Sequence, residues 1–503
     1  MSDRARVVLI FVVVGLIAGG AGFYFFKIYR PAQDLKNAQE EIAGWETRFA
    51  AARDCLLGKS PGSAKTSEAL AIREMAPDPW DRGKCTPLVS KLSRGEAPDT
   101  GIPDIEKAWA ALDKASQKAA MAFADHVARS TTLEKDPLPQ ALDDLDAARA
   151  NLRKSAKLPA TTQTGKALPT AQIIPLRDGK DPVTSLEIDA IPSETGMVLF
   201  GKTANRLVQV STMTGGTPKI DRIGPTSLRS VPDTSWGATP EQGEVDVGAF
   251  DAEGVIATPT SLKVSDRSIV AAVVGSLADG VVVYGIATEL YVAHAKNGTI
   301  TAEPGIKIAS AIASTDTDGR AVVMYTTPDK KYFARILHRG GDEPALELPE
   351  APLGQPCMTH DRAWAQTVDE VFAFGGGQPI LRKPLGYAAL QGCTRDAALF
   401  RDRTVAKALL ICADDCRKVT IPSGAPDNAA TTVVGGKLVA IAAHGGVLGV
   451  WREGEQPIFY SLPEDAHPVL AQEWTAMAMT DGKVIDVVAR GVETFVIIRI
   501  PAT

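Results

Sequence analysis

The stretch QPIFYSLPE, Gln456 to Glu464, reads as a β-strand that runs into Pro463. Because proline has no N–H to donate to a strand ladder, it normally lies at a strand end or in an edge strand. Four similar stretches end the same way: ALELP at Pro349, PILRKP at Pro384, KVTIP at Pro422 and VIIRIP at Pro501. The successive prolines are 35, 38, 41 and 38 residues apart. The sequence therefore predicts a repeated unit that ends in a strand.

Each repeat contains three or four candidate strands joined by short turns. Hairpin-type dipeptides, which supply positive φ, occur at Asp279-Gly280, Asn297-Gly298 and Asp481-Gly482. A period of roughly 40 residues with four strands per unit is typical of a β-propeller blade. The chain from Ala171 to Thr503 thus resembles the β-propeller repeat proteins as a class, which implies a mainly β domain over residues 173–503. We expect about seven four-stranded blades, with six or eight as alternatives, and a proline after the last strand of each.

Two parts of this region depart from the regular pattern. Asp221 to about Asp266 has little strand signal and is either a divergent blade or a long insertion. The stretches STMTGG and AKNGTI are similar to inter-strand turns of quinoprotein-like propellers, but the tryptophan that follows such a turn in those families is absent. No cofactor is therefore predicted.

Residues 31–157 have a helical period instead. Apolar residues three and four apart form one seam from Leu35 to Leu56, a second from Ile105 to Val127, and a third from Leu138 to Leu152. Pro103 opens the second helix, where Asp104 and Glu106 suit its positive end. The region is either a small antiparallel bundle that packs its own seams or a coiled-coil stalk that pairs with another chain. Residues 158–172, rich in Thr, Pro, Ala and Gly, are a predicted linker.

The N-terminus contains twenty uncharged residues, Val7 to Phe26, enough to span a bilayer as a helix. We predict a single-pass signal-anchor over residues 1–30, with the rest of the chain outside the cytoplasm. A cleaved signal peptide with its processing site at Ala18 to Gly22 is the alternative. An alanine-rich composition with few aromatic residues favours a bacterial inner membrane facing the periplasm.

Charge and cysteine content narrow the function classes. The 503-residue chain carries a formal net charge of -6, so a basic nucleic-acid footprint is missing. The six cysteines permit three disulfides in an oxidising compartment. Cys55 and Cys85 flank a helix-breaking loop, and a bridge between them would staple a helical hairpin. Cys412 and Cys416 lie opposite each other in a predicted hairpin.

Cys357 and Cys393 are one blade period apart, in the similar stretches QPCMTHDRAW and QGCTRDAALF. They fall early in their repeats, where the innermost strands are expected. Innermost strands converge on the propeller axis, so we predict a disulfide between neighbouring blades. Two free thiols in equivalent packing positions are the alternative.

Other motifs have simpler structural explanations. GMVLFGKT, Gly196 to Thr203, fits a phosphate-loop pattern, but its four apolar residues predict a strand rather than an open loop, so nucleotide binding is not expected. STDTDGR, Ser314 to Arg320, half-resembles a calcium loop, but the first ligand position is Ser and the twelfth is Tyr325 in place of a bidentate Glu, so an ordinary turn through Asp318-Gly319 is favoured. Asn297-Gly298-Thr299 is explained by its hairpin turn. The scattered histidines show no metal spacing, and no catalytic residues are predicted.

These observations predict a membrane-anchored, extracytoplasmic β-propeller that acts as a protein-binding or scaffold module, with an envelope protein or polymer as partner. The rival is a propeller hydrolase or lyase with its site at the channel mouth, and a structural spacer is a third reading. An enzyme should bring acids, bases or histidines together at the channel mouth. A binding module should expose an apolar or aromatic patch on one rim.

Overall fold

The structure is a computed structural model of the full chain. It describes residues 3–501 except 59–64, 76–80, 94–97, 129–135, 161–166, 194–195, 214–218, 225–227, 231–234, 252, 268, 316–319, 339–342, 369, 376–377, 385–387, 395–396, 403–404, 406–407, 428, 435, 464–473, 481–483 and 491–493. The chain forms two compact units, one of residues 1–169 with 444–447 and the other of residues 170–443 with 448–503. Each unit is described by itself.

The first unit is helical. Its helices are α1 Asp3–Tyr24, a π-helical turn Phe25–Tyr29, α2 Arg30–Leu57, α3 Thr66–Met75, a 3₁₀ turn Arg82–Cys85, α4 Thr86–Ser90, α5 Pro103–Ala128 and α6 Leu138–Ser155. Within the described residues, no helix is both long enough and apolar enough to cross a membrane. Side chains of α1 from Phe11 to Tyr24 are largely exposed.

The three predicted seams pack into one core. Ile42, Trp45 and Phe49 of α2 lie in the same buried cluster as Trp109 of α5 and Leu145 of α6. The predicted start of α5 is confirmed, and Glu106 secures it, because its carboxylate accepts hydrogen bonds from the backbone N–H groups of Thr100 and Gly101 at 3.1 and 2.9 Å. These contacts favour a bundle that packs its own seams.

The second unit is built from strands. In chain order they are β1 Gln172–Pro175, β2 Arg177–Asp178, β3 Asp181–Pro182, β4 Ser185–Ser193, β5 Gly196–Lys202, β6 Leu207–Met213, β7 Lys219–Gly224, β8 Arg229–Ser230, β9 Trp236–Ala249, β10 Thr260–Arg267, β11 Ile269–Gly275, β12 Asp279–Ile286, β13 Glu289–Lys296, β14 Thr299–Ala302, β15 Ile306–Lys307, β16 Ser310–Thr315, β17 Arg320–Thr326, β18 Tyr332–His338, β19 Leu346–Leu348, β20 Leu353–Met358, β21 Ala363–Gln366, β22 Glu370–Gly375, β23 Gln378–Pro384, β24 Ala388–Cys393, β25 Ala398–Asp402, β26 Ala408–Cys412, β27 Cys416–Thr420, β28 Ala430–Val434, β29 Lys437–His444, β30 Val447–Arg452, β31 Ile458–Ser461, β32 Trp474–Thr480, β33 Val484–Arg490 and β34 Phe495–Pro501.

Seven sheets of four or five strands form the blades of a β-propeller, which confirms the predicted fold. Blade 1 is β4 to β7, blade 2 is β11 to β15, and blades 3, 4, 5 and 6 are β16–β19, β20–β23, β24–β27 and β28–β31. Blade 7 has the order β1-β34-β33-β32. Its outermost strand therefore comes from the start of the unit, and Gln172 pairs with Arg499. This pairing joins the two ends of the repeat and corrects the expectation for Pro501, which ends the third strand of its blade instead of the fourth.

A three-stranded sheet, β10-β9-β8, lies between blades 1 and 2 in the chain. Its Trp236 indole donates to the carbonyl of Val274 in blade 2 at 3.2 Å, and Val245 and Val247 share a buried cluster with blade 2 strands. The segment from Asp221 to Asp266 thus contains paired strands, although its sequence has a weak strand signal. Packing against a neighbouring sheet overrides the low local propensity of its Gly, Pro and Glu residues.

The turn predictions have mixed outcomes. Asn297 and Gly298 form the β13–β14 turn with φ of 51° and 82°, as expected. Asp279 and Gly280 already lie in β12, because the turn before them occupies residues 276–278 and the positive φ of 79° falls on Gly275. The Asp481-Gly482 turn lies outside the described residues.

Candidate functional site

The two faces of the propeller differ in which turns they carry. The innermost strand of each blade begins at one face, here called the upper face, and ends at the opposite lower face. Because neighbouring strands are antiparallel, the turn between the second and third strands also lies on the upper face. Position along a strand therefore assigns each side chain to a face.

The innermost strands carry few ionisable residues. In the described strands β11, β16, β20, β24, β28 and β32 the sequence contains no Asp, Glu, His, Lys or Arg; β4 has Glu187 and Asp189, and β8 has Arg229. The exposed residues on these strands include Ala271, Ala311, Gln355 and Gln391. The wall that surrounds the axis thus presents mainly small and uncharged side chains.

Among the described residues of the seven blades, five large aliphatic side chains on the upper face are exposed, and together we call them the apolar rim. Ile269, Ile312 and Leu353 lie in the first half of the innermost strands of blades 2, 3 and 4, and are 66%, 42% and 37% exposed. Val368 and Val405 lie on the turns between second and third strands of blades 4 and 5. The rim therefore extends over four consecutive blades.

Local hydrogen bonds are made by described residues on either side of Val368 and by Val405 itself. The N–H of Thr367 donates to the carbonyl of Glu370 at 2.8 Å, and the Thr367 hydroxyl accepts from the N–H of Glu370 at 3.2 Å. The Val405 N–H donates to the Asp402 carboxylate at 3.1 Å. These hydrogen bonds fix the backbone of Thr367 and Glu370 and the N–H of Val405, which lowers the conformational cost of binding at these positions.

All six cysteines form disulfides in the pairs that the sequence predicts. Cys55 joins Cys85, Cys357 joins Cys393 and Cys412 joins Cys416, with Cα separations of 5.7, 5.5 and 4.0 Å. Cys357 and Cys393 lie near the lower ends of β20 and β24, so their bridge connects the innermost strands of blades 4 and 5. The Cys412–Cys416 bridge crosses the hairpin between β26 and β27.

In the helical unit, a group of titratable side chains surrounds His126. Its Nδ1 lies 2.6 Å from the Asp136 carboxylate and its Nε2 lies 2.7 Å from the Glu74 carboxylate. The hydrogen bonds to Asp136 and Glu74 raise the pKa of His126 to about 9, against the opposing effect of burial. Arg82 approaches Glu74 at 3.4 Å. The cluster joins α3, α5 and the residues before α6, and its groups satisfy one another.

We expect this cluster to make the helical unit pH-sensitive. Because the folded-state pKa of His126 exceeds its ordinary value of 6.5, the stabilisation is complete below about pH 6.5 and is lost as the pH rises through about 9. His126→Gln should lower the free energy of unfolding by roughly 1–2 kcal/mol at pH 6. This is less than the full pKa shift implies, because solvent screens charges that are partly exposed. Urea titrations followed by circular dichroism should show a lower free energy of unfolding for the variant than for the wild type at pH 6, and no such difference at pH 9.5. An equal loss at both pH values would contradict the assignment.

An ion pair also connects two blades. Glu303, after β14 in blade 2, accepts hydrogen bonds from both terminal nitrogens of Arg335 in β18 at 2.7 and 2.8 Å. Arg335, and then His294, lower the pKa of Glu303 to about 2. The Glu303–Arg335 ion pair therefore links blades 2 and 3. Its carboxylate is engaged by Arg335 and does not serve as an acid or base.

The phosphate-loop pattern is a strand in the structure. Gly196–Lys202 forms β5, which pairs with β4 and β6 along its length, and Thr203 caps the turn to Arg206. A strand paired on both edges has no concave set of inward N–H groups for a phosphate. Most of the candidate calcium loop, residues 316–319, lies outside the described residues. Among the described residues, no group of three or more His, Cys, Asp or Glu side chains is arranged to hold a metal ion.

Comparisons with known proteins give structural likenesses only. No family model matches the chain, and no curated protein matches it. The chain is similar to the WD40 domain of SCAP from fission yeast, with 8% identity over 66% of this chain and 95% of that one and a TM-score of 0.39. It is also similar to the computationally designed Ika8 protein, with 14% identity over 64% and 98% and a TM-score of 0.34. The fold assignment itself is based on the strand pairing described above.

Proposed function

We propose that this protein is a binding scaffold that holds an apolar segment of a partner polypeptide on the apolar rim. The observation that carries the proposal is the position of the rim: five exposed aliphatic side chains lie on one face of four consecutive blades. We assign an interaction site to these side chains because they are large, apolar and exposed on the same face. Thr367 and Glu370, on either side of Val368, hydrogen-bond to each other, and the backbone N–H of Val405 donates to Asp402.

The chemistry of the partner follows from the uncharged innermost strands next to the rim. Described innermost strands next to the rim contain small residues, amides and hydroxyls, which offer a charged polymer little compensation for lost hydration. An uncharged apolar segment would instead gain about 25 cal/mol for each Å² of apolar surface buried. The rival enzyme function needs convergent acids and bases, and the described innermost strands of blades 2 to 5, namely β11, β16, β20 and β24, contain no Asp, Glu, His, Lys or Arg.

The proposal includes a membrane-anchored, extracytoplasmic location. Val7 to Phe26 is uncharged, and its side chains from Phe11 to Tyr24 are largely exposed on α1. Three disulfides are typical of an oxidising compartment.

For the anchor, we expect the C-terminal part of the chain to remain in membranes washed with alkaline carbonate. We expect this because a helix of twenty uncharged residues partitions into the bilayer core. Immunoblotting of the pellet and supernatant, with N-terminal sequencing of the product, checks this. A soluble product that begins near Gly22 would show that the segment is a cleaved signal peptide.

For the rim, we expect Leu353→Asp with Val368→Asp to reduce co-purification of the partner by at least tenfold. Two contacts of about 1.5 kcal/mol or more each would be lost, and two buried charges would be added. Ile380→Asp is the matched control, because Ile380 is also exposed, at 44%, but lies on the outermost strand of blade 4. Quantitative mass spectrometry of crosslinked membranes measures the loss. Equal recovery from the rim variant and the control would contradict the proposal.

A further inference from the structure

Three of the six cysteines lie in one row across blade 5. Cys393 pairs with Ala398, Ala398 with Cys412, and Cys412 with Cys416, so the row runs from the innermost to the outermost strand. Directly opposed residues in an antiparallel sheet point to the same face. The Cys357–Cys393 and Cys412–Cys416 bridges accordingly pack in one apolar cluster between blades 4 and 5.

The three disulfides differ in how accessible they are. Cys85 and Cys412 are 1% and 0% exposed, so two of the bridges contain a fully buried sulfur. Cys357 and Cys393 are both only partly buried, so this bridge has two accessible cysteines, whereas the other two bridges have one each, Cys55 and Cys416. Their bridge lies where two innermost strands end, at the lower face. Accessible disulfides are the ones that undergo exchange with external thiols most readily.

A second contact joins blades 4 and 5 near the opposite face. The backbone N–H of Leu390, three residues before Cys393 in β24, donates to the side-chain oxygen of Gln366. Gln366 is 4% exposed and ends β21, two residues before the rim residue Val368. A continuous path therefore runs from the disulfide along β24 to the Gln366 amide and into the turn that carries Val368.

We propose that Cys357–Cys393 is a reducible latch that keeps the Gln366–Leu390 contact closed and thereby orders the turn of Val368. The reductant is a dithiol protein or small molecule. One of its thiolates attacks Sγ of Cys357 or Cys393, the S–S bond breaks and a mixed disulfide forms. The second thiol of the reductant then attacks the mixed disulfide and releases the cysteine that is bound in it. Two electrons and two protons pass to the protein, which gains two thiols, while the reductant becomes a disulfide.

The test uses the full-length protein and dithiothreitol as the reductant. Amide hydrogen exchange is compared in the oxidised protein, the reduced protein, Cys357→Ser/Cys393→Ser, and Cys412→Ser/Cys416→Ser. The last variant is the control, because it removes a bridge from the same apolar cluster. We expect the Leu390 amide and the amides of 366–368 to exchange at least tenfold faster in the reduced protein and in Cys357→Ser/Cys393→Ser, and to remain protected in the control.

Unchanged exchange at Leu390 after reduction would overturn the latch, and so would an equal increase in the control variant. If Cys357→Ser/Cys393→Ser does not fold, amide exchange in the reduced wild-type protein still tests the proposal. The role of the latch in binding rests on the proposed function of the rim. The hydrogen-exchange measurement does not depend on that function. If Leu390 is released and oxidised protein still fails to bind through the rim, the latch stands and the proposed function fails.

Discussion

Ile498→Ala is expected to destabilise the propeller by about 2–5 kcal/mol, the usual range for deleting a buried isoleucine side chain. Ile498 is fully buried in β34, where it faces Ile173 of β1 on one side and Val487 of β33 on the other. The cavity would therefore lie where the first strand of the unit pairs with the last repeat. Loosening that pairing should allow the ring to open at blade 7.

Hydrogen exchange of the β33 and β34 amides under native conditions measures this loss, and urea unfolding gives its size. The control is Ile380→Ala, since Ile380 is exposed and should change stability by less than about 0.5 kcal/mol. If the amides of β34 remain as protected in Ile498→Ala as in the control, β1 does not close the propeller through this contact.

The second large effect is expected from Cys357→Ser/Cys393→Ser. This bridge joins cysteines 36 residues apart, and on the chain-entropy model a loop of that size contributes about 4 kcal/mol. Cys412→Ser/Cys416→Ser removes a bridge between cysteines only 4 residues apart, for which the same relation gives about 2 kcal/mol. The double variants should therefore differ clearly in urea midpoint.

Both variants lose two sulfurs from one apolar cluster, so their difference isolates the closed loop from the packing. Equal losses of stability would mean that packing accounts for the effect and that the inter-blade loop contributes little. Peptide mapping without reductant supplies an independent check. It should recover one linked peptide that contains Cys357 and Cys393.

The sequence predicted the features that depend on local pattern. Apolar residues three and four apart predicted α2, α5 and α6, and the 36-residue spacing of Cys357 and Cys393 predicted their bridge. Both signals come from regular geometry, since a helix repeats its face and a propeller repeats its blade. The strand and turn pattern predicted the propeller itself.

Features that depend on contacts between residues far apart in the chain could not be predicted from local sequence patterns. β1 is four residues long and pairs with a strand more than 300 residues away, so no local signal marks it as the outermost strand of blade 7. α3 buries eight of its ten residues, which hides the apolar stripe that marks an amphipathic helix. The His126 cluster is also spatial, because Glu74 and Asp136 lie 52 and 10 residues away. The rim could be found only after each strand was assigned a direction.

Site-specific photocrosslinking in intact membranes can show whether the apolar rim binds a partner polypeptide. A photoreactive amino acid is placed at Leu353, Val368 or, as the control, Ile380 of the full-length protein. We expect the two rim positions to crosslink to the same partner polypeptide, Ile380 to give no such adduct, and Ile312→Asp to abolish the adduct at Leu353. Adducts of equal yield at Ile380, or no adduct at either rim position, would contradict this expectation.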